Sequence, residues 1–197
     1  MSNDRSASAP VFLAFGSNIG NAQTIFDQAY SLLEEHCQHI AHSSLYRTTP
    51  YGHEDQDDFT NAALEVRTSL SPLDLLAFTQ QVELQCGKKT PFKDGPRSLD
   101  IDILFYGSCV ITDEHLKIPH PHLPERDFVL LPMVEIAPTL RHPQTNLTMQ
   151  EHLEALTPII TPVKKRPGAK SHHKQYGTLY YNILRNLKYL PILIGND

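Results

Sequence analysis

The sequence predicts an α+β fold in which an antiparallel sheet is flanked by helices. Apolar stretches of strand length and segments with helical spacing follow one another in the order β-α-β-β-α-β, which is the ferredoxin-like arrangement. Further helical segments come after this core. A chain of 197 residues can bury such a core within one domain. We expect a disordered N-terminal segment at 1–9, the domain at 10–157 and a basic tail at 158–197.

The first half of the core contains three predicted strands and one helix. An apolar strand at 11–15 ends in a glycine-rich turn, and a helix over 22–36 follows it with apolar residues at helical spacing. Asn21 stands just before that helix and is its expected N-cap. The second strand is predicted at 40–46, and the third at 59–68 from its alternating apolar pattern.

The second half of the core begins with a helix that starts after Ser71. Pro72 suits the first position of a helix, Asp74 suits its first turn, and the helix is expected to stop near Gly87. A basic loop then leads to the last strand of the core. Helices are also predicted at 126–136, 147–156 and 178–190, the last of them amphipathic.

Charge and cysteine usage narrow the class of protein. Residues 1–154 carry a net charge of −11 and residues 155–197 carry +6, against −5 for the whole chain. An acidic body argues against a broad nucleic-acid-binding surface. Three cysteines without zinc-site spacing predict free thiols in a reducing compartment, and no apolar run approaches the ~20 residues of a membrane span. We expect a cytoplasmic monomer without a membrane or nucleic-acid partner.

Two aspartates stand two residues apart in the last strand of the predicted core. Because side chains alternate along a strand, Asp100 and Asp102 point to one face, while Ile101 and its apolar neighbours point to the other. Two such carboxylates repel each other unless a cation lies beside them. Mg²⁺ is commonly held by one or two carboxylates together with substrate phosphates. The alternative is the solvated polar side of an edge strand.

Two other segments carry residues suited to ligands. Tyr51, Phe59 and Asn61 would offer stacking faces and an amide to a flat heterocycle, although ordinary loop and strand packing would also explain them. His120 and Arg126 flank a proline-rich turn and are candidate phosphate partners, with a solvated turn as the alternative. The glycine-rich segment 16–20 either cradles a phosphate or simply makes the turn.

These segments together resemble a known family. The chain is similar, over about residues 10–156, to the 6-hydroxymethyl-7,8-dihydropterin pyrophosphokinases. The most specific block is Gly95-Pro96-Arg97-Ser98-Leu99-Asp100-Ile101-Asp102. The other matching blocks occur in the same order and lie at 15–20, 46–52, 58–63, 83–88, 118–121 and 126–132.

The resemblance implies a reaction and a role for each matching position. The terminal diphosphate of ATP would move to the hydroxymethyl oxygen of the pterin, a step of folate biosynthesis that releases AMP. Asp100 and Asp102 would hold two Mg²⁺. The implied pterin-pocket residues are Thr48, Tyr51, Phe59, Asn61 and Phe128, with the ring between Phe59 and Phe128. The implied nucleotide-site residues are Gln80, Glu83, Ile103, His120 and Arg126. The implied catalytic cations are Lys88, Arg97 and Arg126.

The chain departs from the family pattern in the loop before the aspartates. Lys88 and Thr90 replace two arginines that the family usually has, the loop is about one residue short, and Asp94 replaces an aromatic residue. A further family arginine before the histidine block is His115. Two other functions therefore stay open at this point: a pterin-binding protein with weak or no catalysis, and a nucleic-acid-binding module that uses the basic tail.

Overall fold

Five strands form one sheet in the computed structural model, which describes residues 8–50, 55–88 and 95–156. The strands are β1 (Ala9–Ser17), β2 (Cys37–His42), β3 (Tyr46–Thr48), β4 (Phe59–Thr68) and β5 (Asp100–Tyr106). The helices are α1 (Ala22–Leu33), α2 (Pro72–Gln85), α3 (Asp127–Ile136) and α4 (Met149–Leu156). A small hairpin pairs β6 (Ile111–Thr112) with β7 (Lys117–Ile118), and a short 3-10 turn covers Leu123–Glu125.

The sheet order confirms the predicted ferredoxin-like fold. The strands lie in the order β2-β4-β1-β5, with β3 also paired to β4, and every pairing is antiparallel. β1 lies in the centre, where it pairs with β4 on one side and with β5 on the other. The last strand of the core, which carries the two aspartates, is therefore at an edge of the sheet.

The strand predicted at 40–46 is two strands in the structure. β2 starts earlier, at Cys37, and ends at His42, and β3 begins at Tyr46. The break falls at Ser43, whose main-chain N–H donates to the Ala63 carbonyl (2.9 Å) and whose hydroxyl accepts from the Ala63 N–H (2.9 Å). The Ser43 hydroxyl thus replaces a main-chain acceptor in the hydrogen bonds to β4. The chain leaves the edge of the sheet at this point and pairs with β4 again as β3.

Other element bounds differ at the ends. β1 begins at Ala9 and extends to Ser17, so Ala9 belongs to the sheet rather than to the expected disordered N-terminal segment, and Gly16 lies in the strand rather than in the turn after it. α1 ends at Leu33, three residues before the predicted end, because tighter turn bonds follow it. The predicted Asn21 cap is confirmed, since its side chain accepts from the Thr24 N–H (3.0 Å), and α2 begins at Pro72 as predicted, with Ser71 accepting from the Asp74 N–H (3.2 Å).

Each face of the sheet is covered by a different pair of helices. α1 and α2 pack against the face that carries Leu13, Ile101 and Ile103, where they enclose the larger apolar core. α3 and α4 pack against the opposite face, which carries Phe12 and Leu104. Because Asp100 and Asp102 share the second face with Leu104, the carboxylates lie beside the first turn of α3.

Several predicted features lie outside the described residues. They include Tyr51, most of the loop before the aspartates, the amphipathic helix at 178–190 and the rest of the basic tail. Within the part of the chain that is described, no helix combines the length and apolar character that crossing a membrane requires. Cys37, Cys86 and Cys109, all of them described, are free thiols.

Candidate active site

A cavity opens at the end of the sheet where β1 and β3 end and where β4 and β5 begin. Antiparallel pairing brings these strand ends together, and the start of α3 closes one side. Eight residues selected from the sequence line this one cavity: Thr48, Phe59, Asn61, Arg97, Asp100, Asp102, Arg126 and Phe128. Ala14, Phe15, Gly16, Thr49, Ala62 and Val129 complete its wall.

A row of cross-strand partners forms the floor of the cavity. Gly16 on β1 is paired with Asn61 on β4 and with Asp100 on β5, so all three lie on the same face. A Cβ atom at Gly16 would lie 3.5 Å from Asn61 Oδ1 and 3.9 Å from Asp100 Cβ. The missing side chain therefore leaves open space between an amide on one side and a carboxylate on the other.

The amide side of the cavity is held rigidly. Asn61 Nδ2 donates to Thr48 Oγ1 (2.7 Å), and both side chains are buried. Thr48 and Phe59 are direct partners in the pairing of β3 with β4. A buried amide fixed by one hydrogen bond keeps its remaining donor and acceptor positions in a defined orientation for a ligand.

Two aromatic rings in the cavity wall each have an arginine beside them. The Arg97 guanidinium carbon lies 5.6 Å from the centroid of the Phe59 ring, and that of Arg126 lies 5.7 Å from the centroid of Phe128. These distances are within the range of cation–π contacts. The cavity thus combines flat apolar surfaces with positive charge, which suits a ring that carries or receives phosphate.

The two aspartates occupy an electrostatically costly position. Burial raises the pKa of Asp102, and the nearby Asp100 carboxylate raises it further, while Arg126 opposes the rise. Within the described residues, no group of three or more His, Cys, Asp or Glu side chains is arranged to hold a metal ion. The protein thus offers two carboxylates, a donor set that fits Mg²⁺ when phosphate oxygens and water supply the other ligands.

Glu83 and Lys88 connect the end of α2 to the first aspartate. Lys88 Nζ lies 2.8 Å from Glu83 Oε2 and 2.8 Å from Asp100 Oδ1. The other Glu83 oxygen accepts from the Ile101 N–H (2.7 Å), so both oxygens of this buried carboxylate are engaged. Burial disfavours the charged form of Lys88, but its hydrogen bonds to Asp100 and Glu83 outweigh this and raise its pKa.

Asn18 holds the main chain of Arg97, and the Arg97 side chain lines the cavity. Asn18 Oδ1 accepts from the Arg97 N–H (2.8 Å), and the Asn18 N–H donates to the Arg97 carbonyl (3.0 Å). The Arg97 guanidinium forms an ion pair with Asp100 (Nη1 to Oδ2, 3.1 Å). Its Nε is buried and has no hydrogen-bond partner among the described residues.

Four of the predicted nucleotide-site residues lie outside this cavity. Gln80 is exposed on α2. The Ile103 side chain is buried in the core under α1 and α2, so a nucleotide contact by its side chain is excluded. His120 is partly buried, and burial and then Arg126 lower its pKa to about 4. Glu83 does not line the cavity, and its carboxylate contacts Lys88 and the Ile101 N–H.

Sequence reasoning missed the role of Asn18. Its Nδ2 donates to Gln56 Oε1 (3.0 Å) and to the Asp57 carbonyl (3.2 Å), in addition to its two main-chain bonds with Arg97. This buried side chain joins the turn after β1, the segment before β4 and the segment before β5. The only sequence signal was its place in the glycine-rich turn, which gives no indication of contacts this distant along the chain.

The cavity places a carboxylate pair and arginines beside an aromatic slot at the end of a ferredoxin-like sheet, which are the groups that an enzyme transferring phosphate to a flat ring requires. The family model for 7,8-dihydro-6-hydroxymethylpterin-pyrophosphokinase (HPPK) matches residues 12–138. The chain belongs to this family, the pyrophosphokinases of folate synthesis.

Curated relatives and solved structures agree with this assignment. The chain is 45% identical over 127 residues to the 2-amino-4-hydroxy-6-hydroxymethyldihydropteridine pyrophosphokinase of Bacillus subtilis, covering 64% of this chain and 76% of the relative. It is 41% identical over 146 residues to the folic acid synthesis protein FOL1 of Dictyostelium discoideum, covering 74% of this chain and 22% of FOL1. The wild-type HPPK-DHPS structure of Plasmodium falciparum has a TM-score of 0.63 at 17% identity and supports the fold; the match covers 78% of this chain and 45% of that chain.

The lengths of these relatives differ from that of this chain. It spans most of the Bacillus protein, about a fifth of FOL1 and less than half of the Plasmodium chain. None of these findings favours the alternative of a pterin-binding protein without catalysis.

Proposed function

We propose that the protein is an ATP- and Mg²⁺-dependent diphosphotransferase acting on 6-hydroxymethyl-7,8-dihydropterin. The observation that carries the proposal is the single cavity in which the Asn61–Thr48 pair and two phenylalanines face Asp100 and Asp102. A pterin ring requires stacking surfaces and in-plane hydrogen bonds, and a polyphosphate requires cations. The cavity provides both at the ends of four neighbouring strands.

In this proposal the pterin lies between Phe59 and Phe128. The fixed Asn61 amide meets the edge of the ring, and Thr48 keeps that amide oriented. Tyr51, a further predicted pocket residue, remains an expectation because it lies outside the described residues. Stacking and a pre-oriented amide bind the ring without any change in its chemistry, so their role is positioning.

The carboxylate pair is the proposed seat of two Mg²⁺ ions. Asp100 and Asp102 share one face at the start of β5 and line the cavity that would receive the phosphates. When bound, the metal ions would compensate phosphate charge and lower the pKa of the attacking hydroxyl. Burial, and then the nearby Asp100, raise the pKa of Asp102, and a cation beside the two carboxylates would oppose both effects.

The nucleotide is proposed to lie along the outer edge of β5. The Ile101 N–H points away from β1 toward Glu83. Because main-chain groups alternate direction along a strand, the Ile103 peptide also points to that edge, where no other strand pairs with β5 among the described residues. Ile103 would then contact the nucleotide through its main chain, with His120 and Gln80 as nearby candidates.

The transfer itself requires little from the protein beyond alignment and charge. The hydroxymethyl oxygen attacks the β-phosphorus of ATP, the bond from that phosphorus to the bridging α,β-oxygen breaks, and AMP leaves with that oxygen. The hydroxyl proton passes to solvent. Lys88, Arg97 and Arg126 would stabilise the negative charge that the diphosphate carries during the transfer, as cations do in phosphoryl transfer generally.

The decisive experiment measures AMP. The purified protein is mixed with ATP, Mg²⁺ and 6-hydroxymethyl-7,8-dihydropterin, and AMP is quantified against reactions that lack the pterin or contain EDTA. We expect AMP only in the complete mixture. A folded protein that yields no AMP would contradict the proposal, and calorimetry with the pterin would then test for binding without catalysis.

We also propose that the protein acts in the cytoplasm as a monomer, without nucleic-acid or membrane partners. The three free thiols suit a reducing compartment, and the acidic body repels phosphate backbones. Light scattering of the purified protein tests the monomer, and salt-dependent binding to a labelled RNA would contradict the absence of nucleic-acid binding.

A further inference from the structure

Both oxygens of Asp100 are occupied by cationic side chains in the structure. Lys88 Nζ lies 2.8 Å from Oδ1, and Arg97 Nη1 lies 3.1 Å from Oδ2. A metal ion that binds Asp100 therefore competes with these two cations, because a divalent cation and an ammonium or guanidinium group on the same carboxylate repel each other.

Of these two cations, Lys88 is the one whose charged group also contacts a second carboxylate among the described residues. Its ammonium also lies 2.8 Å from Glu83 Oε2, and its main-chain N–H donates to the Glu83 carbonyl (3.0 Å). Glu83 is in turn held to β5 through Ile101. The lysine is therefore fixed at its main chain and at one carboxylate, while its bond to Asp100 can break without freeing the residue.

We propose that Lys88 is an internal counter-cation that neutralises Asp100 until the metal and nucleotide arrive together. The metal then takes Asp100, and the released ammonium turns to the phosphates, which supply the anionic partner that it has lost. This inference rests on the proposed function for the identity of the anion. It predicts that metal alone binds weakly and that nucleotide and metal bind cooperatively.

The geometry allows Lys88 to exchange Asp100 for another anionic partner. Lys88 carries a compact charge with three donors, so it can keep its bond to Glu83 while one donor changes partner. Asp100 and Asp102 lie on the cavity wall, and Lys88 approaches Asp100 from the end of α2, outside the set of residues that line the cavity.

The test measures binding of Mn²⁺ alone, as a paramagnetic substitute for Mg²⁺, to the full chain. Lys88→Met should bind Mn²⁺ about tenfold more tightly than the parent, since a close charge pair commonly contributes at least this much to an affinity. Lys117→Met is the matched control, because it removes the same charge from an exposed position on β7 and should leave the Mn²⁺ affinity unchanged.

Two further variants keep the test decisive. Lys88→Met leaves the buried Glu83 carboxylate without its cation and is the variant most at risk of misfolding. Glu83→Gln/Lys88→Met has the parent's net charge and retains an acceptor for the Ile101 N–H, and it too should bind Mn²⁺ more tightly. Adding Asp100→Asn to either variant should abolish the gain.

The outcomes separate this inference from the proposed function. If folded Glu83→Gln/Lys88→Met bound Mn²⁺ no more tightly than the parent, the proposed role of Lys88 would be wrong. The same conclusion would follow if the higher Mn²⁺ affinity persisted after Asp100→Asn was added. The Mn²⁺ measurements use no pterin and no turnover. A parent protein that makes no AMP would contradict the proposed function while leaving the counter-cation result interpretable.

Discussion

Gly16 is the residue at which the amide side and the carboxylate side of the cavity meet. A methyl group at this position has ordinary van der Waals distances to its neighbours, so the fold should accept it. The same methyl group would occupy the floor between Asn61 and Asp100. We expect Gly16→Ala to melt at the parent temperature or above, because alanine suits a strand better than glycine.

Pterin binding should respond to Gly16→Ala even though the fold does not. Overfilling a close-packed site commonly costs about 1–3 kcal/mol, so pterin affinity should fall about tenfold or more in calorimetry. Gly107→Ala is an unsuitable control because that glycine has a φ of 53°. Ala41→Gly on β2, away from the cavity, is a better test of general strand effects, and equal pterin affinity of Gly16→Ala and parent would contradict the prediction.

The two aspartates should be essential for transfer and dispensable for folding. Asp100→Asn and Asp102→Asn each remove a proposed metal ligand, and we expect the rate of AMP formation to fall by at least about 100-fold. Because burial and Asp100 raise the pKa of Asp102, neutral asparagine there should not lower the melting temperature. Exposed Asp113→Asn is the control, and near-parent activity in Asp102→Asn would argue against its role as a ligand.

At the scale of elements, Asn18 connects three segments that carry site residues. Asn18→Ala removes its bonds to Gln56, Asp57 and the Arg97 N–H. Losing these buried hydrogen bonds should cost about 1–3 kcal/mol of unfolding free energy, and misplacing Arg97 should lower kcat more than it changes nucleotide affinity.

Asn18→Asp separates the two roles of this side chain. An aspartate still accepts from the Arg97 N–H but cannot donate to Gln56 or to the Asp57 carbonyl. Steady-state kinetics should therefore place this variant between the parent and Asn18→Ala in kcat. If Asn18→Asp were no better than Asn18→Ala, its bond to Arg97 would not be the one that matters for the rate.

The elements that the sequence predicts well are those with local causes. The bounds of β4 follow from alternation, and the starts of α1 and α2 follow from Asn21 and Ser71, whose bonds reach only three residues ahead. The break between β2 and β3 depends instead on Ser43 meeting Ala63, a contact that no local pattern encodes.

The same distinction applies to the site. A period of two places Asp100 and Asp102 on one face whatever the rest of the chain does. The tie between Asn18 and Arg97 joins residues 79 apart in sequence, and the bridge from Lys88 to Asp100 depends on how α2 meets β5. Such contacts follow from the packing of elements, so neither was predictable from the sequence pattern alone.

At the scale of the whole molecule, buried and partly buried histidines make stability dependent on pH. Burial lowers the pKa of His120 to about 4, and it also lowers the pKa values of His142 and His152. An unfolded histidine titrates near 6.5, so below that pH the unfolded chain takes up protons that the folded protein excludes. The stability that His120 contributes is complete above about pH 6.5 and is lost as pH falls toward 4, and His142 and His152 act in the same direction.

His120→Gln tests this acid sensitivity. By linkage, His120 should account for about 2 kcal/mol of the unfolding free energy lost between pH 7.5 and pH 5, and the variant should lose that much less. Urea unfolding at the two pH values measures the difference, with exposed His115→Gln as control. Glu83 and Asp102, whose pKa values are raised mainly by burial, act in the opposite direction in both proteins and cancel in the comparison. Parallel pH profiles for parent and His120→Gln would contradict the prediction.

The sheet face beside the first turn of α3 has a consequence for how ligands can be found. There Gly16, Asn61 and the half-buried rings of Phe59 on β4 and Phe128 on α3 border an open space, whereas the opposite face is covered by a closed apolar core. A molecule that fills this space packs against this face of the sheet, and it binds only the native state because the space exists only there. At a concentration 100 times its Kd it would add about 2.7 kcal/mol to the unfolding free energy. Thermal melting therefore offers a label-free screen that ranks inhibitors by affinity, with no need for the pterin substrate.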